Sequence, residues 1–125
     1  MKMDKGIMSE IIDKLVYQVK MLGQTIDSMN YPLEALVLSM NWSRAELEDV
    51  FKFFEKWEIN RLNGVPINNG DFETDFVKNF NSSYQKLKSI ILAFWRNGQW
   101  KQLCEAYVDS FGQSAPIEYS EIVNR

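Results

Sequence analysis

Few side chains in this sequence could carry covalent or acid–base chemistry. Cys104 is the single thiol, and there is no histidine anywhere in the 125 residues. A nucleophilic cysteine needs a neighbouring base or cation to lower its pKa. Without histidine, the usual near-neutral proton shuttle and every His-dependent triad are excluded. Cys104 falls between Leu103 and Tyr107 on the apolar side of an expected helix, so it reads as a buried structural thiol. One cysteine also excludes an intrachain disulfide and a cysteine-cluster zinc site.

Carboxylates are the remaining candidates. Glu46, Glu48 and Asp49 crowd the first turn of a helix expected from about Arg44 to Asn63, where the macrodipole favours negative charge. They read as a solvated face rather than an acid–base pair. Asn68, Asn69, Gly70 and Asp71 superficially resemble a calcium loop. Placing Gly70 at the sixth loop position puts Val65 at the first, where an oxygen ligand is required, so no calcium site is expected. Trp95, Arg96, Trp100 and Lys101 interleave aromatic and basic groups as a base-stacking platform would. Their simpler reading is two apolar faces meeting at an Asn97-Gly98 turn, with the cations at a helix C-terminus. The expectation is a chain that is not an enzyme, with no catalytic residues, no metal and no cofactor.

The elements that would position these groups are helical. Met8, Ile12, Leu15, Val19, Leu22, Ile26 and Met29 recur at spacings of four and three, which predicts a coiled-coil-like helix from about Asp4 to Met29. The positions bordering this seam (Ser9, Ile11, Val16, Gln18, Gly23 and Thr25) carry no charge, unlike the flanks of a free-standing coiled coil. Gly23 costs about 1 kcal/mol in a helix interior unless another backbone approaches there. Pro32 opens a short second helix marked by Leu33, Leu36, Val37 and Met40. Ser43 and Glu46 form a capping box for the third, along which Leu47, Val50, Phe51, Phe54, Trp57 and Arg61 share a face. Gly64 and Pro66 stop it.

After the loop from Gly64 to Gly70, Asp71 is expected to cap a helix bearing Phe72, Phe76 and Phe80. Ser82 and Gln85 offer another capping box. The next helix, from Tyr84 to Trp95, is apolar around most of its circumference and should be central. Trp100, Leu103, Cys104, Tyr107, Val108 and Phe111 predict a last helix ended by Gly112. The expected fold is all-α: a multi-helical bundle of five or six helices with a long N-terminal heptad-patterned helix. Residues 1–112 form the domain, and 113–125 a loosely ordered tail.

Charge and composition narrow the partners. The formal net charge is −3 and the pI about 5.0, which disfavours binding to nucleic acid or anionic membrane. Charges interrupt every apolar stretch of the first ten residues, so no secretory h-region is expected there. The longest wholly apolar run, Ile90 to Trp95, is six residues, far short of a membrane span. A cytoplasmic location follows as an expectation. Eight Phe, five Tyr and four Trp could dominate the core.

The order of several motifs resembles a known family. Thr25, Ile26 and Asp27 are followed by Tyr31, Pro32 and Leu33, by Ala35 and Leu36, and after a turn by Ser43 with Glu46. Gly64 is then followed by Phe72, and Ala93 and Phe94 by Gly98, Trp100 and Leu103. Over roughly Ile12 to Phe111 the chain resembles the small helical YhaI-like proteins of Bacillus and relatives. That resemblance implies a multi-helical, self-associating protein and brings no assigned activity with it. The connection from Val65 to Asp71 is longer than the family's usual one, which makes Asn68, Asn69 and Gly70 a partner loop particular to this chain.

These readings converge on a non-enzymatic, cytoplasmic oligomer that works through contact with another protein as a regulator, adaptor or inhibitor. Its expected interface is Met8, Ile12, Leu15, Val19, Leu22 and Ile26, in a homodimer or homotrimer. The alternative is a helix-turn-helix DNA-binding regulator built on the second and third helices. Glu46, Glu48 and Asp49 would then stand at the part of the recognition helix that enters the groove, where phosphates repel them.

Overall fold

The computed structural model describes residues 4–125, and these form an all-helical protein with no strand among them. Among the described residues seven α-helices follow one another, against the five or six expected, the extra one lying in the C-terminal segment: α1 (Lys5–Gln24), α2 (Pro32–Met40), α3 (Arg44–Leu62), α4 (Asn69–Phe80), α5 (Tyr84–Arg96), α6 (Lys101–Asp109) and α7 (Ser120–Val123). Two 3₁₀ turns, Gly112–Ser114 and Ile117–Tyr119, lie between α6 and α7. The first three residues of the 1–112 assignment, and of the charged leading segment, lie outside the described residues.

Local chemistry sets most helix boundaries. The Asp4 side chain accepts from the Gly6 amide at 2.6 Å and starts α1. Pro32 is the first residue of α2, where its missing N–H leaves nothing unsatisfied. Ser43 and Glu46 cap α3 reciprocally, at 3.2 and 3.1 Å. Two caps sit elsewhere than expected. Asn68, not Asp71, caps α4, its Oδ1 accepting from the Asp71 amide at 3.1 Å. Ser83, not Ser82, caps α5, accepting from the Lys86 amide at 3.2 Å. In both stretches neighbouring side chains have the right chemistry, and the direction in which the helix enters the core selects one.

The core is aromatic and lies among α3, α4, α5 and α6. Phe53 meets Phe54, Phe72, Phe76 and Phe80 edge-on, with ring centroids 5.2–5.7 Å apart. Phe54 meets Phe94 at 4.8 Å, and Phe72 meets Tyr107 at 5.0 Å. Apart from the tilted Phe72–Tyr107 pair, these are edge-to-face contacts, which place the positive ring edge against a negative face. Leu87, Ile90, Ile91, Ala93 and Phe94 are buried along α5, as its apolar circumference predicts. Phe53 lies outside the face read from the sequence. It is buried because α4 packs its phenylalanines on that side of α3.

Two larger expectations change. The N-terminal helix ends at Gln24 rather than continuing to Met29. The Thr25 hydroxyl turns back to the Leu22 carbonyl at 2.7 Å, and the Asp27 carboxylate accepts from the Met29 amide at 2.9 Å. These local bonds compete with helix continuation, and Pro32 fixes the next helix immediately afterwards. The tail 113–125 is not loose. Tyr119 and Ile122 are fully buried. Around them, Lys88 pairs with Glu118 at 2.8 Å, Arg96 with Glu121 at 2.8 Å, and Arg125 with Asp109 at 2.7 Å. Two apolar residues three apart suffice to dock a short segment when α5 and α6 offer a shared surface.

Candidate interaction surface

The groups that could do chemistry are mostly occupied within the fold. Cys104 is completely buried. Burial, reinforced by the Glu105 and Glu58 charges, pushes its thiol well above the ordinary range. At the start of α3, Glu46 is held in the capping box, and Glu48 lies 3.4 Å from Arg44. Asp49 borders a cleft of about 220 Å³ with Glu46 and Lys86. Glu46 is the one acidic residue in the first turn of α3, which also holds Arg44; Glu48 and Asp49 follow in the next turn. Arg96 donates to Glu121 at 2.8 Å, and the Trp95 indole to Glu105 at 2.9 Å. The Lys101 ammonium sits over the Trp95 ring at 5.3 Å. Trp95 and Arg96 thus serve contacts inside the chain, and their alternation is explained by the turn between α5 and α6. Trp100 ends that turn with φ 53° and a buried indole Nε1 that has no hydrogen-bond partner.

Asn68, Asn69 and Gly70 lie at the start of α4 rather than in open loop. The Asn68 oxygen folds over the helix end so closely that a Cβ on Gly70 would come within 3.2 Å of it. Their distinctive spelling is accounted for by the cap. Among the described residues, no group of three or more His, Cys, Asp or Glu could hold a metal ion. Nor is any described helix long and apolar enough to cross a membrane.

Two polar clusters were invisible in the sequence. Asp75 on α4 accepts from Lys56 at 2.7 Å, from the Trp57 indole at 2.8 Å and from Asn79 at 2.8 Å, tying α4 to α3. Burial pushes its carboxyl up, but these donors and the Lys56 charge outweigh it, leaving the pKa below its ordinary value. Tyr107 donates to Glu73 at 2.7 Å, with the Tyr119 hydroxyl 3.4 Å from its own. Burial foremost raises both phenols far above their ordinary range, so they stay neutral. No spacing rule connects partners 12 and 34 residues apart.

The surface left without an explanation inside the fold is α1. None of its residues is buried. Met8 is 45% exposed, Ile12 and Leu15 54%, Val19 47% and Leu22 65%, so the helical part of the seam lies open along one stripe. Ile11 and Val16 widen it and are also exposed. Ile26 is half-buried beyond the end of the helix and Met29 is exposed in the following turn, so these two are not on the stripe. The helix packs on α2, and between them lies an apolar groove of about 670 Å³ lined by Val16, Val19, Gly23, Ala35 and Leu38 among others. A Cβ on Gly23 would meet Leu38 at 3.7 Å, an ordinary contact. The glycine therefore marks no forced close approach of backbones within the chain.

No protein-family model, no curated protein and no solved structure matches this chain.

Proposed function

We propose that this chain is a non-enzymatic cytoplasmic module that acts through protein–protein contact, as a regulator, adaptor or inhibitor, and assembles with itself through α1. In this reading α1 is the heptad-patterned arm of a helical bundle whose body is α2 to α7. The observation that carries it is the exposed, regularly spaced apolar stripe from Met8 to Leu22. Scattered exposed apolar residues are normal on a protein surface, whereas a contiguous patch marks an interaction site. The YhaI-like resemblance points the same way, toward a helical protein that self-associates.

The magnitudes are compatible with assembly. Seven side chains on α1 (Met8, Ile11, Ile12, Leu15, Val16, Val19 and Leu22) are each 42–65% exposed. Covering what is left of each is worth about 1 kcal/mol, so a symmetric pair gains on the order of 14 kcal/mol. Association costs roughly 4–15 kcal/mol. The surplus reaches about 10 kcal/mol at best, enough for micromolar dissociation or tighter. Closed two-fold symmetry makes the dimer the first expectation and a trimer the second.

Light scattering on the wild type and on the Leu15→Glu/Leu22→Glu double variant tests the reading. The wild type should assemble at about 100 µM, and the variant should fold and stay monomeric because assembly would bury unpaired charges. A monomeric wild type, or a folded variant that assembles normally, refutes it.

A further inference from the structure

The stripe on α1 has a period of 3.5 residues, the repeat that another helix matches by knobs-into-holes packing. Yet the chain supplies a neighbour for only part of it. The 20 residues of α1 extend about 30 Å, whereas the nine of α2 extend about 14 Å. α2 lies beside the C-terminal half, where Val16, Val19 and Gly23 line the groove with Ala35 and Leu38. Apolar side chains are exposed in both halves: Ile7, Met8, Ile11 and Ile12 away from α2, and Val16, Val19 and Leu22 beside it.

Building on the self-association above, we propose that the occupant of this surface is a second copy of α1 running antiparallel, its N-terminal half seated against the groove between α1 and α2. In an antiparallel pair the seam residues alternate across the interface. Ile12 then lies opposite Leu22 of the second copy and Leu15 opposite its Val19. On the side where α2 stands, Val16 faces its own counterpart and Ser9 faces Gly23. Ser9 and Gly23 are both small, so a second helix fits where α2 already crowds the flank. Each N-terminal half thereby rests on two helices, α1 and α2 of the other copy. A parallel pair would leave the two N-terminal halves touching only each other, over less than two heptads. Seven roughly half-exposed side chains per copy amount to on the order of 1,200 Å² in total, the lower edge of a stable interface. No charged residue occupies a position bordering the seam, so nothing in the flanks opposes this orientation.

Disulfide trapping in the full chain separates the orientations. Ile12→Cys and Leu22→Cys chains carrying different tags are mixed, allowed to exchange, and oxidised mildly. The fully buried Cys104 stays out of the reaction, with the wild type as background. Because a disulfide requires Cβ atoms about 4 Å apart, the mixed dimer should exceed either self-dimer by about tenfold. A mixture of Leu15→Cys and Val19→Cys chains should behave the same way. Self-dimers in excess, or no disulfide from reduced variants that sediment as dimers, overturn the antiparallel arrangement and leave self-association standing. A chain that sediments as a monomer at about 100 µM overturns self-association itself.

Discussion

Replacing Tyr119 separates packing from hydrogen bonding in the docking of the C-terminal segment. Its side chain is fully buried, with its ring 5.7 Å from Tyr107 and 6.3 Å from Phe111. Tyr119→Ala removes a whole aromatic ring from this site, a change that costs about 3–5 kcal/mol where the surroundings cannot collapse. Tyr119→Phe removes only the hydroxyl, whose contact with Tyr107 is 3.4 Å. That is long for an O–H···O bond, which is normally about 2.7–2.8 Å. Tyr107 retains its stronger bond to Glu73 at 2.7 Å, so the Phe variant should lose less than about 1 kcal/mol. Urea unfolding followed by circular dichroism, with equal m-values as the check on two-state behaviour, reads both numbers. The gap between the variants is the quantity of interest. A Tyr119→Ala protein within about 1 kcal/mol of wild type would refute the docking of residues 113–125. A Phe variant as damaged as the Ala variant would instead assign the docking to the hydrogen bond.

Asp75→Asn should lower stability at neutral pH by about 1 kcal/mol, because it weakens the link from α4 to Lys56 and Trp57. The folded-state pKa of Asp75 is depressed, so its contribution is complete above the ordinary carboxylate pKa, near 3.9, and is lost as pH falls through the lower folded value. Stability measured from pH 7 to pH 2 should therefore show the wild type and Asp75→Asn converging only below about pH 4; a constant gap would contradict the assignment. Thiol alkylation should label Cys104 slowly in the native protein and fully in denaturant, and rapid native labelling would show that the thiol is exposed and activated. In the dissociated chain at low concentration, Gly23→Ala should stabilise α1 by up to about 1 kcal/mol, read as slower amide exchange in its last two turns. The added Cβ meets Leu38 there at an ordinary 3.7 Å, so faster exchange would contradict the open flank, whereas in the antiparallel pair, where Gly23 faces Ser9, the same Cβ should weaken assembly.

Much of the secondary structure is legible without coordinates because its determinants are local. Pro32 starts a helix, Ser43 and Glu46 close a capping box, and Gly64 stops α3; each acts over a few residues. The burial of α5 and of Cys104 follows from the density of apolar side chains around them. The heptad spacing of α1 is equally plain, and so is the lack of charge beside it.

Tertiary structure decides everything that depends on where helices meet. Asn68 caps α4 and Ser83 caps α5, although Asp71 and Ser82 have equivalent local chemistry. Phe53 is buried only because α4 arrives on that side of α3. Asp75 finds Lys56 and Trp57 across 19 and 18 residues of chain, a distance over which spacing rules say nothing. Tyr119 and Ile122 become core because a surface formed by distant helices receives them. For α1 the division is sharpest. Its sequence dictates an amphipathic helix with an apolar seam, since periodicity is a property of the helix alone. That the seam stays open in a single chain is a matter of packing: α2 meets only the flank of the C-terminal half of α1, leaving Val16, Val19 and Leu22 as exposed as Met8 and Ile12, while the aromatic core forms among α3 to α6.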